Sequence, residues 1–164
     1  MPTYNLDIYS EEHFDFDVFS ITCTESIYRV IHELNHALSI DLQLCDLLDY
    51  KHKEGEDFYF PLYSFSHEEL NIEFNLIPNQ TSFQPYEKVK QQAQDLFGGE
   101  VEQSTKLLPE LENADYFLLI KGDNRYLYNF TILETIQKSP SFDSVQEVFV
   151  ADLKDKKSKS NLLF

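Results

Sequence analysis

His32-Glu33-Leu34-Asn35-His36 spells H-E-x-x-H, a spacing with a definite chemistry. On a helix, histidines at i and i+4 stand one turn apart on one face and can bind a single Zn²⁺. The glutamate between them can then take a proton from the water on the metal. Such a centre needs a third ligand, and Asp41, Asp46, Asp49, His52 and His67 supply the right donor types nearby. A zinc-dependent hydrolase would therefore use His32 and His36 as ligands and Glu33 as general base.

The element that carries these residues turns them the wrong way. Thr24 reads as an N-cap with Glu25 in the first turn, and a helix is predicted over Glu25 to Leu38. With Ile27 set at about 0°, Val30, Ile31, Leu34 and Leu38 all fall within about 60° of it at 100° per residue. They form the core stripe. His32 and His36 fall at about 140° and about 180°, beside Glu25 and Arg29. The pair is thus expected to face water as part of a polar helix side, and no metal ligand is assigned from it. The zinc hydrolase stays the runner-up.

Around this helix the chain reads as an α+β fold. One mainly antiparallel sheet is expected, with two core helices packed on one face. Phe14 to Cys23 alternates apolar and polar residues, as a half-buried strand does. Tyr4, Leu6 and Ile8 allow a short strand before it. Leu42 to Tyr50 is apolar enough to pack but has no clear period. Lys51 to Asp57 reads as a loop, and Phe58–Phe65 and Leu70–Ile77 as an aromatic hairpin. Pro61 places the first of these at an edge, or at a bulge. Asn79 to Tyr86 looks like loop, and Glu87 to Phe97 like a surface helix stopped by Gly98-Gly99. Ala114 to Lys121 is almost continuously apolar and should be a central strand. Tyr126, Phe130, Leu133 and Ile136 or Gln137 suggest a second core helix over Arg125 to Lys138, ended by Pro140. Val145 to Leu153 reads as a last strand. Residues 1–153 make one domain in this scheme, and 154–164 a Lys-rich tail in which Lys154 to Lys159 reads as solvated and Asn161 to Phe164 either folds back or hangs free.

Composition narrows the function classes. The chain has 164 residues, with 13 Lys and Arg against 29 Asp and Glu and a formal net charge of -16. A phosphate backbone would be repelled, so nucleic acid is not an expected partner, whereas a basic protein is. No apolar run approaches membrane-spanning length. The first residues carry neither a basic nor an apolar signal region. Cys23 and Cys45 are too few for a disulfide framework and read as free thiols in a reducing compartment. A cytoplasmic location follows as an expectation. The acidic stretch Asp7, Glu11, Glu12, Asp15 and Asp17 lacks the spacing and glycine of a calcium loop. Phosphate-binding and nucleophile-elbow motifs are missing, and no cofactor is expected.

The segment Leu108-Pro109-Glu110-Leu111-Glu112-Asn113-Ala114-Asp115-Tyr116 resembles the signature of the IPExxxVDY family of small bacterial proteins. Leu108 stands for its Ile and Ala114 for its Val, while Pro109, Glu110, Asp115 and Tyr116 match. Leu34, Asn35 and Leu38, the hairpin end Asn75-Leu76-Ile77, and Phe117–Ile120 with Gly122 are similar to the family pattern as well. The resemblance implies no activity, because the family has none assigned. Physically, Pro109 favours an extended residue before it. Glu110 and Asp115 can accept backbone N–H bonds and pin the turn, and Tyr116 can pack its ring and bond through its hydroxyl. The same three residues are the candidate binding site. Three functions are carried forward: a non-catalytic factor acting through protein contacts, the zinc hydrolase, and a small-ligand binder with an aromatic pocket. A homodimer through an edge strand near Pro61 is a further possibility, which the proline itself would oppose.

Overall fold

The strand at Tyr116–Lys121 (β7) is apolar at every position from Phe117 to Ile120 because both of its faces are covered. In the computed structural model, which describes residues 14–51, 57–82 and 104–164, β7 lies inside a six-stranded sheet. Its neighbours are β4 (Ile72–Pro78) and β1 (Phe16–Thr22). Outward from β4 come β3 (Asp57–His67) and β2 (Gln43–Lys51), and outward from β1 comes β8 (Ser144–Val148). The order is β2-β3-β4-β7-β1-β8, and every pairing is antiparallel. A two-rung ribbon joins β5 (Gln80–Thr81) to β6 (Thr105–Lys106).

Two helices, α1 (Ile27–Leu38) and α2 (Tyr126–Gln137), pack on one face. Val30, Leu34, Ile132 and Ile136 meet Phe19, Ile21, Phe74, Leu76, Leu118 and Ile120 there. The α+β class with both core helices on one side is thus what the strand and helix patterns led one to expect. The other face is also buried, although among the described residues no long helix covers it. Val18, Phe58, Phe60, Phe117 and Leu119 lie under Leu107, Leu108, Val150, Leu153 and Leu162, contributed by irregular chain and short 3₁₀ turns.

This second layer corrects the expected tail. Residues Lys156–Asn161 form a short helix, α3, capped by the Asp155 carboxylate, which accepts the Lys157 N–H at 3.1 Å. Leu162, just beyond it, has no exposed surface. Lys157 lays its ammonium over the Tyr50 ring at 4.5 Å, and Lys121 donates to the Phe164 carbonyl. The lysine run signals solvent, but its apolar flanks, Leu153 and Leu162, anchor it to the core.

Other boundaries shift for identifiable reasons. Ser26, not Thr24, is the N-cap of α1, so Glu25 lies outside the helix. The core side of α2 is Ile132 and Ile136, while Tyr126 is 57% exposed. Apolar residues wrap that helix, so spacing alone does not select a face; the side chain of Phe130 lies outside the described residues. Pro61 is not on an outermost strand, since β2 covers it and Pro61 pairs with Leu47. The irregularity falls in β2, where register shifts between Leu44 and Asp46. The last strand is shorter than expected and passes into the 3₁₀ turn Val150–Asp152. The strand near Leu6 and Ile8, most of the 51–57 loop and the helix at 87–97 lie outside the described residues.

Candidate functional site

The segment 108–116 enters β7 and is tied to its surroundings by its polar groups. Asp115 donates its N–H to the Ile21 carbonyl at 2.9 Å, and its carboxylate accepts the Cys23 N–H at 2.9 Å. Both bonds hold the chain where it leaves β1. Tyr116 packs its ring against the helix-side core and donates its hydroxyl to the Glu25 carbonyl at 2.9 Å, just ahead of α1. Burial, with Cys23, Asp115 and Tyr63 nearby, pushes its hydroxyl up to about 12. Glu110 points elsewhere and accepts the N–H groups of Lys154 and Asp155 at 2.9 and 3.3 Å. The three candidate residues are therefore close in sequence but serve three separate anchorages.

Sequence reasoning missed the residue that organises this segment. Asn79 is fully buried. Its Nδ2 donates to the carbonyls of Leu111 and Ala114 at 3.0 and 2.8 Å, and its Oδ1 accepts the Leu108 N–H at 2.9 Å. Its own N–H reaches the Asp115 carbonyl, and its carbonyl takes the Leu107 N–H. Every polar group of Asn79 is thus satisfied by the stretch 107–115. The only signal was its place directly after an apolar strand, which suggests a turn rather than a clamp on chain 29 to 35 residues away.

On α1, His32 and His36 are exposed, as the helix geometry led one to expect. Glu33 is committed at both oxygens. One pairs with Arg29 at 2.8 Å, and the other accepts the Ser139 hydroxyl at 3.0 Å, which ties α1 to the end of α2. Asn35 accepts the Leu42 N–H at 2.8 Å and fixes the turn that follows the helix. Among the described residues, no group of three His, Cys, Asp or Glu side chains is arranged to hold a metal. His52, one possible third ligand, lies outside them.

The two thiols differ. Cys23 is buried, and burial pushes its thiol up, which makes it a poor nucleophile. Cys45 is exposed on β2 and donates to the Ser64 hydroxyl at 3.1 Å. Ser64 in turn donates to the buried Asn75, whose amide donates to Glu73. This chain of bonds satisfies Asn75 inside the second layer.

Two of the hollows among the described residues open on the second face, both over β1 and β8. One, of about 510 Å³, is lined by Ser20, Thr22, Ser144 and Gln146 below and by residues 110–114 beside them. The other, of about 320 Å³, is lined by Phe14, Phe16, Asp17, Val18 and residues 147–151. Glu110 is in the wall of the first; Asp115 and Tyr116 are not. The larger hollow is polar, whereas the smaller one has Phe14, Phe16 and Phe149 in its wall. No helix among the described residues is long and apolar enough to cross a membrane. No protein-family model matches the chain, and no curated protein matches it.

Proposed function

We propose that this protein performs no chemistry of its own and acts by contacting another protein, as an adaptor or accessory factor in the cytoplasm. The observation that carries this reading is how the best-placed acids are used. Glu33, Glu110 and Asp115 each give carboxylate oxygens to hydrogen bonds or an ion pair within the chain, and they stand at separate anchorages. A general acid or base needs a free oxygen within reach of a substrate. The net charge of -16 adds a preference for basic partners and against nucleic acid. The 108–116 stretch supports placing the chain with the IPExxxVDY family, whose resemblance brings no activity with it.

The test has two arms. Purified, zinc-loaded protein is offered peptide, ester and phosphoester probes, and affinity-tagged full chain is cross-linked in a lysate. A cross-linked protein partner without turnover is the expected result. Hydrolysis that disappears in Glu33→Gln would overturn it in favour of the zinc enzyme. A second copy of the chain as the sole cross-linked species would reduce the function to self-association.

A further inference from the structure

The two hollows over β1 and β8 belong to one surface. Val18 pairs with Val148 under the smaller hollow, and Ser20 with Gln146 and Thr22 with Ser144 under the larger. These are three successive rungs on the same face, so the hollows adjoin end to end. At about 3.4 Å per residue the rungs span about 14 Å, the length of roughly four residues of extended chain. An open groove of this shape suits a strand-like segment better than a compact small molecule.

Its walls are one-signed. Glu110 and Glu112 line the larger hollow, and neither hollow is lined by a Lys or Arg; Asp17 and Glu147, at the alternate positions of β1 and β8, turn their carboxylates to the helix face with Phe19. Arg125 answers Asp17 there, at 3.6 Å. Glu110 accepts two backbone N–H groups but gains no cationic side chain from them. Glu112 is exposed. The end away from these glutamates is apolar: Phe16, Val18 and Val148 form it, with Phe149 61% exposed beside them.

We infer that this groove binds a basic, extended segment of a partner protein, with lysine or arginine toward Glu110 and Glu112 and an apolar side chain toward Phe16 and Val148. The inference rests on the protein-contact function proposed above and adds where the contact is made and what the partner presents. Charge selects the occupant, because a second copy of a chain with net charge -16 would bring like charge to an acidic groove.

The experiment uses the full chain labelled with ¹⁵N and two synthetic peptides. One alternates lysine and valine and ends in phenylalanine; in the other, glutamate replaces every lysine. The lysine peptide should shift the amides of Ser20, Thr22, Ser144 and Gln146, more weakly at high salt. The glutamate peptide should shift none of them. A Glu112→Lys variant with an unchanged melting temperature should bind the lysine peptide at least threefold more weakly. Shifts spread over the whole acidic surface, shifts centred on β2, or undiminished binding by the variant would overturn the inference. So would concentration-dependent shifts of the same amides without peptide, which would mark a second copy as the occupant. If the variant still cross-links the partner found in lysate, the groove is wrong and the protein-contact function stands. Turnover by purified protein with no partner captured removes both.

Discussion

Asn79 concentrates more structural consequence than any residue singled out from sequence. Three side-chain bonds converge on it in a fully buried setting. Asn79→Ala leaves the Leu111 and Ala114 carbonyls and the Leu108 N–H without that partner. The expected loss is about 2–4 kcal/mol, read by urea unfolding. Asp17 makes a different demand. One of its oxygens is buried without a hydrogen-bond partner, and Arg125 stands 3.6 Å away. Burial raises its carboxyl above its ordinary value despite the pull of Arg125. With a raised pKa in the folded state, the native protein holds this proton more readily than the unfolded chain does. The contribution of Asp17 to stability is therefore full at low pH and is lost as pH rises through the raised value. Asp17→Asn has no such dependence. Its melting temperature relative to the parent should be higher at pH 7 than at pH 4, and the reverse order would refute the assignment.

Among the elements, α3 carries the sharpest expectation. Leu162→Ala removes a side chain with no exposed surface from the second layer and should cost about 2–5 kcal/mol in denaturant unfolding. Lys159→Ala, at a half-buried position of the same helix, removes one bond to the Ala151 carbonyl and should cost only about 0.5–1.5 kcal/mol. How far each element was legible depends on how many neighbours shape it. β7 was readable because burial on both faces leaves a continuous apolar run. α1 was readable because a single stripe faces the core, and that stripe settled where His32 and His36 point. β2 was not, since only Tyr50 among its nine residues is buried and an edge strand needs little pattern. α3 was hidden because its anchors lie at its flanks. At the site, the backbone-pinning roles of Asp115 and Glu110 followed from residue type, whereas Asn79 did not, its partners being remote in sequence.

For the whole molecule, charge sets the response to solution conditions. Twenty-nine acidic residues against 13 Lys and Arg press the folded state outward. Raising salt from about 0.01 M to about 0.15 M should increase the melting temperature as this repulsion is screened, and a fall would show that the ion pairs outweigh it. The strand order has a consequence of another kind, in time. β2, β3 and β4 are consecutive and can pair almost as soon as they are made. β1 cannot: its neighbours are β7 and β8, and even the nearer of them in sequence, β7, begins only at Tyr116. At a synthesis rate of about 5–20 residues per second, that gap lasts on the order of ten seconds. Throughout it Val18, Phe19 and Ile21, all destined for the core, have no strand to join. On the ribosome the meander would close first while β1 waits, which makes β1 the stretch of nascent chain most in need of a chaperone's cover.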